Sequence, residues 1–221
     1  MNKEPELPND LKPVDEETLL QDKLKFWIDK GSELKTQLEE AVQKVKFYED
    51  AALAAFIETE TGGKGFDKTT GKIIIQFEPA WFRKKAPYAP SGAWSVNKVD
   101  VQSKEWIAFN DAFAKNADGA MESTSIGLGQ IMGFHYKRLG FKTVGEMWDD
   151  AKVSLENQVR QICKFIQTDK NLLEAIKNKD WNAIASIYNG SGYLELAKKL
   201  GREPYNITMA KNHKKLKPMF E

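Results

Sequence analysis

The segment Ala54–Phe66, Ala-Ala-Phe-Ile-Glu-Thr-Glu-Thr-Gly-Gly-Lys-Gly-Phe, passes from apolar residues through carboxylates into glycines. Apolar residues at alternating steps of four and three lie on one face of a helix, and such a series leads into this segment: Leu34, Leu38, Ala41, Val45, Tyr48, Ala52 and Ala55. Gly62 and Gly63 predict where that helix stops, because glycine readily takes the left-handed conformation found at helix C-termini. The sequence therefore predicts one long helix that ends near Glu60.

Glu60 falls at the C-terminal end of this predicted helix. The negative end of the helix macrodipole disfavours a carboxylate, and apolar neighbours such as Phe56 and Phe66 disfavour it further by excluding water. Both effects predict a raised pKa for Glu60. A carboxyl group that stays protonated near neutral pH is what a general acid for a glycosidic oxygen needs. The alternative is that Glu60 is an ordinary solvated residue at a helix end.

Composition restricts the classes of protein to which this chain can belong. Its 221 residues, 41% of them hydrophobic, suit one domain with an extension or two small domains. The formal net charge of +1 argues against a dedicated nucleic-acid binder, which normally has a strongly basic face. Cys163 is the only cysteine, so no intramolecular disulfide can form. It shares a predicted helix face with Ile162 and Ile166, and we interpret it as a core residue.

The N-terminal part of the chain, Met1–Thr18, is acidic and has no apolar run like the core of a signal peptide. No stretch of the sequence is long and apolar enough to span a bilayer. We therefore expect synthesis in the cytoplasm without a signal peptide, and export by a holin or a secretion machinery for any action outside the cytoplasm. We also expect a monomer.

The first 45 residues form a distinct section of the sequence. Met1–Val14 has the composition of a disordered leader, and Asp15 and Ser32 then cap two helical segments. The apolar stripe of the second segment is either internal packing or a recruitment surface. We divide the chain into a leader with a helical extension, residues 1–45, and a main domain, residues 46–221.

Beyond the glycines, local patterns predict a mainly helical domain with one short sheet inserted early. Lys72–Glu78 is rich in β-branched residues and bounded by Pro79, which predicts a strand. Ala86–Gly92 contains two prolines and is predicted to be a loop. From Trp106 onward the pattern is almost wholly helical, with helix-start signals at Thr143, Ser154 and Asp180. The fold class is therefore mainly α, of the α+β type.

Three further motifs follow in order along the chain. The first is Ile-Gln-Phe-Glu, which ends at Glu78. The second, over Met121–Gly133, is Met-Glu-Ser-Thr-Ser-Ile-Gly-Leu-Gly-Gln-Ile-Met-Gly, and the third, over Ser186–Gly190, is Ser-Ile-Tyr-Asn-Gly. Each motif taken singly has an explanation without function. Glu78 could be a charge at a strand end, Gln130 a solvated glutamine in a helix, and Tyr-Asn-Gly only a turn. Taken together with Glu-Thr-Gly-Gly, the ordered set resembles the phage and bacterial N-acetylmuramidase domain. That family belongs to the lysozyme-like superfamily, with goose-type lysozymes and soluble lytic transglycosylases. The resemblance runs from about Tyr48 to the C-terminus.

The resemblance implies a lysozyme-like fold, in which a helical lobe and a small sheet-bearing lobe enclose a cleft for peptidoglycan glycan strands. Residues 46–221 would then be the catalytic domain. Glu60 matches the general acid of the family and Glu78 a second acidic position after the strand, so both are predicted to be catalytic. Four further residues match family positions and are predicted to bind substrate, the first of them with no assigned role: Glu122, Gln130, Tyr188 and Asn189.

The sequence departs from the family pattern at three positions. Thr61 stands where the family more often has Ser, and its hydroxyl keeps the same chemistry. Ile126 and Gly129 stand where aromatic residues are expected. Loss of aromatic surface there would alter sugar stacking or domain packing, but it leaves the predicted acid unchanged.

Aromatic residues and histidines complete the set of candidates. Trp81, Tyr88 and Trp94 cluster around the loop after the strand, where they either stack on sugar rings or pack the small lobe. His135 and His213 are far apart and have no companions at ligand spacing, so no metal site is predicted. We expect no cofactor.

The favoured function is a muramidase that cleaves the β-1,4 bond between N-acetylmuramic acid and N-acetylglucosamine, as a phage endolysin or a delivered antibacterial effector. Such cleavage commonly uses a pair of carboxyl groups. A lytic transglycosylase, in which one Glu suffices, is the nearer alternative. The other alternative is a non-catalytic glycan-binding or virion structural module. The sequence does not distinguish inversion from retention.

Overall fold

The structure, a computed structural model, describes residues 50–98 and 101–219. The predicted leader and helical extension, residues 1–45, lie outside these residues, as does most of the predicted apolar stripe. Helices dominate the described part, as predicted. Their bounds are α1 Asp50–Thr61, α2 Pro79–Lys85, α3 Gln102–Lys115, α4 Ala117–Glu122, α5 Val144–Val153, α6 Leu155–Gln167, α7 Lys170–Lys177, α8 Trp181–Tyr188, α9 Tyr193–Leu200 and α10 Tyr205–Leu216, with short 3-10 turns at Ala93–Val96, Gly133–His135 and Lys217–Met219.

The predicted end of α1 is confirmed. The helix stops at Thr61, and Gly62 and Gly63 follow with φ values of 59° and 74°, in the region that glycine adopts without steric cost. The segment Ala51–Ile57 is buried on all sides of the helix. It packs along α10, so α1 is a central helix of the domain. Its last four residues, 58–61, are partly open to solvent.

The sheet is antiparallel, in the order β1 Ile75–Phe77, β2 Thr124–Ile126 and β3 Ile131–Met132. The first strand lies inside the predicted segment and is shorter than predicted. The other two strands occupy a stretch for which helix was predicted, and that prediction is wrong. Gly127, with φ 67°, and Gln130, with φ 47°, turn the chain so that β2 and β3 pair. The sheet is thus completed by residues distant in sequence from its first strand.

Side chains of α3 cover the free edge of β1. Gln102 accepts a hydrogen bond from the Ile75 N–H at 2.9 Å and donates one to the Ile75 carbonyl at 2.8 Å. The buried Glu105 carboxylate accepts from the Phe77 N–H at 2.8 Å. Because an unpaired strand edge exposes polar backbone groups, these two side chains replace a neighbouring strand. They also fix the strand end that precedes Glu78.

The helical lobe agrees closely with its predicted start signals. The side chains of Thr143, Ser154 and Asp180 each accept a hydrogen bond from a backbone N–H in the first turn of α5, α6 and α8. Such caps satisfy donors that the helix itself leaves unpaired. Cys163 is buried on α6, as predicted. None of the helices in residues 50–98 and 101–219 combines the length and apolar character that a bilayer crossing requires.

Candidate active site

A cleft of about 880 Å³ lies between the two lobes. One side is here called the helical wall. It consists of the C-terminal end of α1, Lys64 just beyond it, and the region from the end of α8 to the start of α10. The other side, the sheet wall, consists of the three-stranded sheet with the start of α2 and the edge-covering side chains of α3. Five of the predicted site residues line this cleft: Glu60, Glu78, Gln130, Tyr188 and Asn189.

Glu60 enters the cleft from the last turn of α1. The neighbouring Thr61 hydroxyl lies within hydrogen-bond distance of the Leu128 carbonyl, 3.2 Å, and of the Ile57 carbonyl, 3.4 Å. The end of α1 is thereby tied to the turn between β2 and β3. Tyr205, at the start of α10, donates a hydrogen bond to the Oε1 atom of Glu60. These contacts hold the Glu60 carboxyl group between the lobes.

Burial raises the pKa of Glu60 from 4.5 to about 7, and the hydrogen bond from Tyr205 opposes this by favouring the carboxylate. The direction agrees with the expectation from the sequence. Burial also raises the pKa of the Tyr205 phenol, with a further contribution from the Glu60 charge. Near neutral pH a large share of Glu60 is therefore protonated. Because Tyr205 occupies Oε1, the proton is best placed on Oε2.

Tyr188 lies in the same wall but bonds elsewhere. Its hydroxyl donates to the carbonyl of Gly129, so it joins the end of α8 to the β2–β3 turn. Its ring packs edge-on against Phe56, with the ring centroids 4.6 Å apart. Tyr188 therefore shapes the cleft beside Glu60. Asn189 follows it at the end of α8, exposed in the cleft.

Glu78 faces the cleft from the sheet wall, directly after β1. Its N–H donates to the Ser123 carbonyl at 2.9 Å, and its carboxylate accepts a hydrogen bond of 2.7 Å from the Gln76 amide. Gln76 also lines the cleft. Glu78 is thus anchored through both backbone and side chain, and a second carboxyl group is available on the wall opposite Glu60.

Gln130 occupies the turn between β2 and β3. Its amide oxygen accepts from the Ser125 hydroxyl at 3.0 Å, and its amide nitrogen donates to the Gly127 carbonyl at 2.9 Å. One N–H of the amide is left over for a ligand. These bonds hold the backbone of Gln130 in its left-handed conformation.

The three aromatic candidates on the small lobe differ in exposure and in whether they line the cleft. Trp81 is 40% exposed, lines the cleft and packs against Phe134, with ring centroids 4.8 Å apart. Trp94 is fully buried, in edge contact with Phe82, and therefore packs the lobe. Tyr88 is 71% exposed but is not among the residues that line the cleft. Only Trp81 of the three presents an apolar face to the cleft.

The sequence of residues 49–217 matches the model of the N-acetylmuramidase family. The chain belongs to that family. The resemblance read from the motifs is thereby confirmed, and this muramidase is a peptidoglycan-degrading enzyme that acts on the cell wall. The fold is similar to that in the crystal structure of the Burkholderia AP3 phage endolysin, with a TM-score of 0.65 and 26% sequence identity over 89% of this chain and 70% of that chain. No match was found among curated protein sequences.

One predicted substrate-binding residue does not reach the muramidase cleft. Glu122, at the end of α4, is not among the lining residues, and its carboxylate forms an ion pair with Lys85 of α2. The ion pair joins two helices of the small lobe. A role for Glu122 in substrate binding stays a prediction. In residues 50–98 and 101–219, no three or more His, Cys, Asp or Glu side chains are grouped to hold a metal ion.

Ile126 and Gly129, which stand where aromatic residues were expected, are both packed inside the protein. Ile126 is buried in the sheet. A Cβ atom at Gly129 would lie 2.5 Å from the Cγ1 atom of Ile162, so the position has no room for a side chain. Neither residue offers a side-chain surface to a sugar.

Sequence reasoning missed the residues that α10 and the preceding loop contribute to the cleft. Tyr205, Arg202 and Glu203 all line it. Pro204, just before the helix, marks a helix start, but no local pattern links that start to Glu60. The link depends on the packing of α10 against α1.

Proposed function

We propose that this muramidase hydrolyses the β-1,4 bond between N-acetylmuramic acid and N-acetylglucosamine, with Glu60 as the general acid. The observation that carries the proposal is the state of Glu60. A carboxyl group with a pKa of about 7 lies in a cleft with a second carboxyl group, that of Glu78, on the opposite wall. Glycoside hydrolysis uses a protonated carboxyl group to donate to the leaving oxygen and commonly a second, ionised one.

In the proposed reaction the Oε2 atom of Glu60 gives its proton to the glycosidic oxygen as the bond to the sugar carbon breaks. The Tyr205 hydroxyl then stabilises the new carboxylate through its bond to Oε1. The Glu78 carboxylate stabilises the positive charge that develops on the sugar ring, or it activates the water that attacks the ring. Gln76 holds one oxygen of Glu78, which leaves the other oxygen for water.

The biological setting is proposed as that of a phage endolysin or a delivered antibacterial effector. Structural similarity to a phage endolysin supports the first of these. Export by a holin or a secretion machinery and a monomeric state remain part of the proposal.

Digestion of purified sacculi, followed by mass spectrometry of the released muropeptides, tests the reaction. A hydrolase leaves ordinary reducing N-acetylmuramic acid ends, because water enters the product. A lytic transglycosylase leaves anhydro ends, lighter by one water, because the sugar closes on itself. Predominantly anhydro ends would overturn the hydrolase while leaving Glu60 as the acid. Intact sacculi after prolonged incubation would favour a non-catalytic binding module.

A further inference from the structure

The helical wall of the cleft carries two positively charged side chains that the proposed reaction does not use. Lys64 and Arg202 both line the cleft and are exposed. Among the described residues, neither side chain is in an ion pair or a hydrogen bond. Two cations that face a binding cleft without a protein partner are available to an anionic ligand.

The fold places these two residues beside the acid. Lys64 comes four positions after Glu60, just beyond the end of α1, and Arg202 comes three positions before Tyr205. Because Tyr205 bonds to Glu60, the adjoining chain segments meet at the same part of the wall. Each cation also follows a helix C-terminus, that of α1 or α9, where positive charge is favoured. Neither therefore needs a carboxylate neighbour to be stable.

The carboxylates of the cleft do not neutralise these cations. Glu203, next to Arg202, forms an ion pair with Lys211 and accepts a hydrogen bond from the Thr208 hydroxyl at 3.3 Å. Glu78 and Glu105 belong to the sheet wall, where Gln76 and the Phe77 N–H respectively bond to them. Beside Glu60, whose carboxyl group bonds to Tyr205, the helical wall thus presents free positive charge, and the sheet wall presents the Glu78 and Glu105 carboxylates.

We infer that Lys64 and Arg202 bind the carboxylates that N-acetylmuramic acid carries on its lactyl arm. The inference rests on the proposed function, and it makes these two residues determinants of specificity. In glycan without peptides the carboxylate is that of the lactyl group itself; in intact peptidoglycan the carboxylates belong to the attached stem peptide. N-acetylglucosamine has neither. Arginine matches a carboxylate with two parallel hydrogen bonds, and lysine adds a mobile point charge.

Binding to the full chain with Glu60→Gln, which prevents turnover, tests the inference by titration calorimetry. The probes are a peptide-free tetrasaccharide of alternating N-acetylglucosamine and N-acetylmuramic acid, the same tetrasaccharide with stem peptides, and chitotetraose. The test variant adds Lys64→Gln and Arg202→Gln. A matched control adds Lys198→Gln and Lys199→Gln, which remove two exposed charges from α9 outside the cleft lining. Circular dichroism checks that each variant is folded.

The double charge variant should bind a carboxylate-bearing tetrasaccharide about tenfold more weakly, as expected for loss of charge-assisted hydrogen bonds. Its affinity relative to that for chitotetraose should fall by the same factor, and the control should keep the ratio. A fall with the peptide-free probe alone identifies the lactyl carboxylate, and a fall with the peptide-bearing probe alone identifies the stem peptide. A fall with both probes shows that the two cations accept either carboxylate. A variant with Arg202→Lys in place of Arg202→Gln, which keeps the positive charge at that position, should recover part of the lost affinity.

Two results would overturn the inference. Equal weakening for all three probes would mean that the cations contact the sugar backbone, and unchanged binding would mean that they take no part. Either result leaves the proposed function intact, because reducing ends released from sacculi by the unmodified protein establish that function independently. Absence of those ends would overturn the function itself.

Discussion

Tyr205 donates a hydrogen bond to Glu60 although 145 positions separate the two residues in the chain. The contact joins the start of α10 to the end of α1, the two helices that pack most extensively on each other. It opposes the rise in the pKa of Glu60 that burial causes. The acidity of the proposed general acid is therefore a balance between burial and one phenol.

Tyr205→Phe should shift the basic limb of the pH–activity profile to higher pH. A general acid must be protonated, so activity falls as pH rises through the pKa of Glu60, about 7. Removing the hydrogen bond that favours the carboxylate raises that pKa further. The profile on sacculi measures the shift. Tyr188→Phe is the matched control, because its hydroxyl bonds to Gly129 instead, and its limb should stay in place. An unmoved or lowered limb in Tyr205→Phe would contradict the prediction.

Glu60→Gln should abolish lysis while the protein stays folded. Glutamine keeps the size of the side chain and can still accept from Tyr205, but it has no proton to give to the leaving oxygen. General acid catalysis typically contributes about 10²- to 10⁴-fold, and turbidity of a sacculus suspension measures the loss. Near-normal lysis by a folded Glu60→Gln protein would remove Glu60 from the mechanism.

The same substitution should change how stability depends on pH. The folded pKa of Glu60, about 7, exceeds its unfolded value of 4.5, so the folded state holds the proton more tightly. This contribution to stability is fully present below pH 4.5 and is lost as pH rises to about 7. Between pH 4.5 and a pH above 7, the free energy of unfolding of Glu60→Gln should rise by about 1 to 3 kcal/mol relative to that of the unmodified protein. Thermal melts at the two pH values measure it. Glu174→Gln, on an exposed residue of α7, should show no such gain.

Glu78→Gln separates the two enzymatic mechanisms. A glutamine at this position can still accept from the Gln76 amide, so the strand end should keep its structure. If Glu78 acts on water or on the developing charge, kcat on sacculi should fall by about 10²-fold or more, with little change in KM. Unimpaired kcat would mean that Glu78 only braces the strand end, as the transglycosylase alternative allows.

Trp81→Ala should weaken glycan binding. The exposed face of Trp81 lines the cleft, and loss of a partly buried aromatic surface should raise KM by about five- to tenfold with a smaller effect on kcat. Tyr88→Ala is the control, since Tyr88 is more exposed but does not line the cleft. Equal KM values for the two variants would exclude Trp81 from substrate binding.

Gly129→Ala should destabilise the fold by about 1 to 3 kcal/mol, because the new methyl group overlaps Ile162. Gly145→Ala is the matched comparison. An added Cβ there meets nothing closer than 3.7 Å, and the residue lies in helix α5. Alanine should stabilise that site by about 0.5 to 1 kcal/mol. Chemical denaturation of both variants measures the difference, and equal effects would contradict the packing assigned to Gly129.

The sequence alone was sufficient for features that depend on neighbouring residues. The end of α1 at Gly62 and Gly63, the helix starts at Thr143 and Ser154, and a strand ahead of Glu78 all follow from rules that act over a few positions. The ordered motifs were enough for the family, since each motif is short but their sequence along the chain is specific.

Tertiary structure alone decided the rest. Residues 124–126 pair with β1, and residues 131–132 pair in turn with residues 124–126, whereas the local pattern favoured helix. Glu122 forms an ion pair with Lys85 of another helix, a partner that no local pattern predicts. The pKa of Glu60 reaches about 7 through burial, and burial is a property of packed helices that the periodicity of one helix does not contain. Tyr205 touches the acid only because α10 folds back along α1, and no local rule acts across that distance.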